Sequence, residues 1–170
     1  MIQRLLTLIC ALLLYLMSGL SFAETERKAP SCALTSMDTL QRYDLQKFQG
    51  KVVYVDFWAS WCPPCVKSFP FLNDLEHDFK DQGLQVIAIN LDEALQDAKD
   101  FLAKQPANFT LALDTSKQCA QAFGVMAMPS SYLIDRKGII RHTSLGFRPE
   151  TAKALRTLTQ QLLKESGEQK

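Results

Sequence analysis

The stretch Val52-Val53-Tyr54-Val55-Asp56-Phe57-Trp58-Ala59-Ser60-Trp61-Cys62-Pro63-Pro64-Cys65 decides how the rest of the chain is read. Residues 51–58 form a short run rich in β-branched and aromatic side chains, the pattern of a buried strand. Beyond the cysteines, Val66, Phe69, Leu72, Leu75 and Phe79 recur at helical spacing. The two cysteines therefore sit where a strand gives way to a helix. The first turn of a helix carries unpaired N–H groups and the positive end of the helix dipole, and both stabilise a thiolate. The thiolate is the attacking species in disulfide exchange, so this setting activates Cys62. Cys65, one turn later, is near enough to resolve a mixed disulfide. Half of a zinc site would need a second ligand pair, and neither His77 nor His142 has a neighbouring Cys or His. No metal or other cofactor is expected.

Outward from the motif, Gly83 stops the helix and residues 84–91 read as a second buried strand. Residues 94–104 read as a helix with Leu95, Ala98, Phe101 and Leu102 on one face, and 109–113 as a short strand. A short helix over 116–123 ends at Gly124. Strands at 130–134 and 139–143 flank the turn Asp135-Arg136-Lys137-Gly138, which makes them antiparallel neighbours. A last helix carries Ala152, Leu155, Leu158 and Leu162 on its inner face. The expected architecture is a three-layer α/β/α domain over 51–165, with a central mixed sheet. Residues 24–50 read as a leader with few strong signals, and 166–170 as a polar tail.

The chain has 170 residues, enough for one domain, with 47% hydrophobic and 22% charged residues. Arg4 is the only charge before Glu24, and an apolar segment follows it up to Ser21-Phe22-Ala23. That is the layout of a secretory signal peptide ending at residue 23. The other reading is an uncleaved membrane anchor, since 5–23 gives 19 uncharged residues. Both readings export the globular part and place it in a periplasmic or other extracytoplasmic space. Without residues 1–23 the 19 basic residues lose Arg4, leaving 18 against 18 acidic ones. Such a balance carries no electrostatic footprint for nucleic acid, and a monomer is expected. Four cysteines remain (Cys32, Cys62, Cys65 and Cys119), in a compartment where disulfides persist. Three pairings are open to them.

With these residues in view, the chain resembles the thioredoxin superfamily, and most of all its exported TlpA/ResA-type thiol–disulfide oxidoreductases. The resemblance covers about residues 33–165. It rests on Asp56-Phe57-Trp58-Ala59, Trp61-Cys62, Pro64-Cys65, Pro70 in the following helix, and Met128-Pro129-Ser130. It extends to Tyr132-Leu133-Ile134-Asp135 and Gly138. It implies the thioredoxin fold, with 94–113 as the inserted helix and strand of the TlpA group. It also implies Cys62 as nucleophile, Cys65 as resolving thiol, and Pro129 as a cis-proline facing the pair. Asp56 matches thioredoxin's buried acid, where TlpA/ResA-type proteins more often carry Asn. Desolvated there, it would have a raised pKa and could accept the Cys65 proton. Ser68 stands where reductases serving cytochrome c maturation generally show Glu.

Trp58, Trp61 and Met128 are expected to shape the substrate surface around Cys62, with Phe57 packing inward. Prolines at both central positions remove two N–H groups that could have donated to the Cys62 sulfur, so a pair leaning toward reduction is expected. If the motif closes on itself, Cys32 and Cys119 are left as partners, and some TlpA-type proteins are similar in having a second bridge from their leader. Cys119 is otherwise a buried, inert thiol. The function expected is reduction of disulfides in exported proteins, with a membrane thiol donor implied by the resemblance. Rival functions are a dithiol oxidase and a copper(I)-binding module using Cys62, Cys65 and a methionine, Met126 or Met128.

Overall fold

The structure, a computed structural model, describes residues 26–165. The segment 1–23 with Cys10 and the tail 166–170 lie outside the described residues. The described residues hold seven strands: β1 (Ala33–Ser36), β2 (Arg42–Asp44), β3 (Val52–Trp58), β4 (Leu84–Asn90), β5 (Thr110–Leu113), β6 (Ser130–Ile134) and β7 (Ile140–Leu145). They form one mixed sheet in the order β2-β1-β5-β4-β3-β6-β7. β3, β4 and β5 run parallel, and β6 and β7 continue antiparallel from β3. Among the described residues four α-helices accompany the sheet: α1 (Pro63–Phe79), α2 (Leu95–Leu102), α3 (Gln118–Phe123) and α4 (Pro149–Glu165).

β3 lies between β4 and β6, and all seven of its residues are buried. A strand covered on both faces needs apolar residues throughout rather than alternation. Its two faces still divide the core by parity. Val52, Tyr54 and Trp58 pack with Phe69, Leu72, Leu75 and Phe79 of α1, with Phe101 of α2, and with Leu162 of α4. Val53, Val55 and Phe57 pack on the opposite side with Ile87, Ile89 and Tyr132, under Ala120 and Phe123 of α3. The architecture is therefore the expected α/β/α sandwich. Gly83 follows a last 3-10 turn, with φ 97°. A Cβ there would lie 2.9 Å from the Arg136 guanidinium, which donates to the carbonyls of Gly50 and Gln82.

Strand pairing also reaches upstream of residue 51. Within 24–50, β1 pairs antiparallel with β5 through Thr35↔Leu113 and Ser36↔Ala112, and β2 pairs with β1. Further upstream, Lys28 bridges Ile139. These strands are three and four residues long, and Leu34 alone of the seven is buried. Such short strands carry no readable period; the edge of β5 organises them.

Candidate active site

β3 ends at Trp58, and the chain turns through Ala59, Ser60 and Trp61 before Cys62 opens α1. Cys62 is the N-cap, with φ −98° and ψ 99°, and Pro63 and Pro64 fill the first two helical positions. A proline there costs the helix nothing, because those N–H groups would have had no intrahelical partner. The N–H of Cys65 donates to the Cys62 carbonyl at 3.0 Å. Cys62 and Cys65 are joined as a disulfide with Cα atoms 5.4 Å apart. Cys65 is fully buried and Cys62 is 3% exposed, its accessible edge lining a groove of about 520 Å³. Trp61, Pro63 and Pro64 share that lining with Val125, Met126, Ala127 and Met128 of the loop before β6, and with Leu91, Lys117, Ala120 and Gln121. The Met128–Pro129 peptide bond is cis.

Trp58 does not shape this surface, contrary to expectation. It is wholly buried, edge-on to Phe69 at 5.0 Å and tilted against Phe101 at 4.8 Å between ring centroids. As the last residue on the Val52–Tyr54–Asp56 side of β3, it points under the helix layer rather than toward the groove. Trp61, outside the strand, is 66% exposed. Met128 is half-buried and Met126 almost fully exposed, both along the groove.

Asp56 is completely buried on the α1 side of β3. It accepts a 2.6 Å hydrogen bond from Ser131 Oγ, which its antiparallel register on β6 brings opposite. Its second oxygen, Oδ2, has no partner. Its register neighbour on β4 is Ala88, which offers no charge. Burial pushes the Asp56 carboxyl up to about 7, and the Ser131 hydrogen bond lowers it only in part.

Three residues near the pair carry weak sequence signals or none. Asp92 accepts from the Ser60 N–H at 2.9 Å, from Ser60 Oγ at 3.0 Å and from Asn90 Nδ2 at 2.8 Å, so it pins the turn before Cys62. Ser68 is buried and its hydroxyl donates to the Cys65 carbonyl at 3.1 Å. Lys117 reaches the groove from the start of α3. Only the Asn90-x-Asp92 spacing at the end of an apolar strand could have marked Asp92 as a turn anchor. His77 and His142 are exposed, hydrogen-bonded to Asp78 and Ser144. Away from the groove mouth, Cys32 of the leader is bridged to Cys119 of α3, and both are buried.

The Redoxin family model matches residues 24–162. The thiol-disulfide oxidoreductase ResA of Bacillus subtilis (strain 168) is 33% identical over 152 residues, covering 86% of this chain and 84% of that one. ResA of Bacillus thuringiensis subsp. konkukian is 33% identical over 115 residues, covering 68% of this chain and 66% of its own length. A crystal structure from Chlorobium tepidum, described as a thiol:disulfide interchange protein DsbE, superposes with a TM-score of 0.77. It is 43% identical and covers 81% of this chain and 96% of that one. A cysteine pair at a helix opening on a seven-stranded mixed sheet, taken with these matches, leads to one assignment. The chain belongs to the Redoxin family and, within the thioredoxin superfamily, to the TlpA/ResA-type thiol–disulfide oxidoreductases.

Proposed function

We propose that the chain is an exported reductase of protein disulfides, cycling between the Cys62–Cys65 disulfide and its dithiol. The observation that carries this reading is Cys62 at the N-cap of α1, lining an apolar groove, with Cys65 buried one turn behind it. In the dithiol state the Cys62 thiolate attacks one sulfur of a substrate disulfide. That S–S bond breaks, and the departing substrate sulfur leaves as a thiolate that takes a proton from water. Cys65 then gives its proton to the Asp56 carboxylate and attacks Cys62 Sγ. The mixed disulfide breaks, the second substrate sulfur leaves, and the Cys62–Cys65 bond is restored. Two electrons have passed from the pair to the substrate. A carboxyl poised near 7 suits a group that must take up a proton and release it again at neutral pH. Trp61 and Met128 give apolar contact to the incoming chain, and Pro129 limits the freedom of the loop that carries Met128.

The direction follows from which donors face the sulfur. An N-cap sulfur can accept from the N–H groups of the first helical turn. Here two of those are absent at Pro63 and Pro64, and the Cys65 N–H is taken by the Cys62 carbonyl. A less stabilised thiolate makes the dithiol the better reductant. Export is supported by the apolar segment 5–23 and by two disulfides, which persist outside the cytosol. Re-reduction by a membrane thiol donor completes the cycle.

Equilibration of the pair with defined thiol buffers should give a potential at or below about −230 mV, and a value near the about −120 mV of strong oxidants would reverse the direction. A Cys65→Ser protein mixed with a disulfide substrate such as insulin should accumulate a covalent adduct on Cys62. A protein that forms no adduct and leaves insulin unreduced would end the reading.

A further inference from the structure

Lys117 borders the Cys62 groove. It lies between β5 and α3 with a left-handed backbone, φ 59° and ψ 7°. That conformation disfavours residues bearing a Cβ by about 1 kcal/mol or more, so the surroundings must hold it. Its N–H donates to the Asp114 carbonyl at 3.1 Å. The buried Asp114 carboxylate accepts from the Ala120 N–H at 2.9 Å and from Ser116 Oγ at 3.2 Å. Two residues on, Cys119 is tied to Cys32. Held in this way, the Lys117 ammonium donates to the carbonyl of Leu91, just past the end of β4. Lys117 is the only charged side chain among the described residues lining the Cys62 groove.

The Cys62 sulfur has lost its usual helix-end donors to prolines, and its groove contains one fixed cation. We propose that Lys117 is a positioning residue whose ammonium stabilises the Cys62 thiolate across the groove and so sets the pH at which the pair becomes reactive. This rests on the reading of Cys62 as the attacking sulfur. The other charges around the motif come from four places. Asp56 is buried on β3, and Lys67 is exposed on α1. Asp92, engaged by Ser60 and Asn90, and Glu93 follow β4, while Asp97 is on α2. Glu93 and Asp97 line the neighbouring cleft together with Trp61 and Lys117, outside the groove itself. Lys117 thus lines both the Cys62 groove and that acidic cleft.

The test is the pH profile of Cys62 alkylation by iodoacetamide in protein reduced at the motif, with the Cys32–Cys119 bridge verified by mass mapping. Lys117→Met and Lys117→Gly should each raise the apparent pKa of Cys62 by about 0.5–1 unit, a roughly three- to tenfold drop in thiolate near neutrality. Lys117→Arg should restore the profile. Glycine accepts a positive φ without strain, so Lys117→Gly should fold at least as stably as the parent even if Lys117→Met does not. A purely structural lysine would leave the titration of the glycine variant at the parent value, and that result would overturn the proposal. Failure of the functional reading looks different: Cys62 of the unaltered protein would resist alkylation across the whole pH range.

Discussion

Replacing Asp56 by Asn removes a charge that the fold must otherwise bury, and the consequence is a change in how stability depends on pH. Burial pushes the Asp56 carboxyl up to about 7 from an ordinary 3.8. Between those two values the folded chain holds a proton on this carboxyl and the unfolded chain does not. The folded state binding more protons means that stability falls as pH rises. Stability from the raised carboxyl is fully present below the unfolded pKa and is lost as pH climbs through about 7. Integrating between pH 5 and pH 8.5 with these two pKa values gives a loss of about 3 kcal/mol. The group is wholly buried, so solvent screening does not reduce that figure. Asn keeps the shape and an oxygen to accept from Ser131 Oγ, but puts an amide where Oδ2 now lacks a partner. That amide costs about 1–3 kcal/mol at every pH, so the slope rather than the absolute stability is diagnostic. The assay is urea denaturation of the oxidised parent and Asp56→Asn proteins at both pH values. Other titrating groups are common to the two and cancel. The difference in midpoint should move by roughly 1–3 M toward the variant at the higher pH, for m-values of about 1–3 kcal/mol/M. Parallel pH profiles for the two proteins would refute the buried-acid argument.

Trp61→Ala should leave stability within about 0.5 kcal/mol, since the ring is exposed, while slowing insulin reduction; Trp58→Ala should cost about 3–5 kcal/mol, read by the same denaturation, because its ring fills the core between Phe69 and Phe101. Replacing Cys32 and Cys119 together by Ala opens a loop spanning a separation of 87 residues and should lower stability by about 4–5 kcal/mol in the chain-entropy model, measured as a shift in urea midpoint. Asp92→Ala leaves the Ser60 N–H and hydroxyl without their acceptor and should cost about 1–3 kcal/mol, again by denaturation.

What could be read from the sequence was what local chemistry controls. The apolar run of β3, the cysteine spacing, the i, i+3, i+4 stripe of α1 and the left-handed stops at Gly83 and Gly124 all depend on neighbours within a few residues. The expected pairing of the last two strands follows the same rule, with the Asp135 carboxylate closing the turn by accepting from the N–H groups of Lys137 and Ile139. Parity along Val52, Tyr54 and Asp56 assigns Trp58 to the α1 side of the sheet, so its burial under Phe69 is also encoded locally. The strands of the leader were not legible, since β1 and β2 owe their existence to an edge on β5, about 75 residues downstream. Lys117 was hidden for a related reason. Its reach into the groove depends on a buried carboxylate at Asp114, a bridge to residue 32 and the carbonyl of residue 91, none of which a local window contains.

These placements separate two tasks that one helix terminus can perform alone. In a motif with free N–H groups at its centre, the helix end would both present the sulfur and stabilise its charge. Here Pro63 and Pro64 keep the presentation and give up most of the hydrogen-bonding stabilisation, because the remaining Cys65 N–H is committed to a carbonyl. In the proposed cycle charge control passes to groups outside the helix: the buried Asp56 carboxyl on β3, and a cation mounted on a separately cross-linked helix start. Such an arrangement lets the resolving thiol and the attacking thiol be tuned by different residues. Substitution at Asp56 should therefore change resolution of the mixed disulfide while leaving the first attack nearly untouched. Substitution at Lys117 should do the reverse. If single-turnover measurements showed both variants slowing the same step by the same factor, the two sulfurs would share one electrostatic environment and this division would not hold.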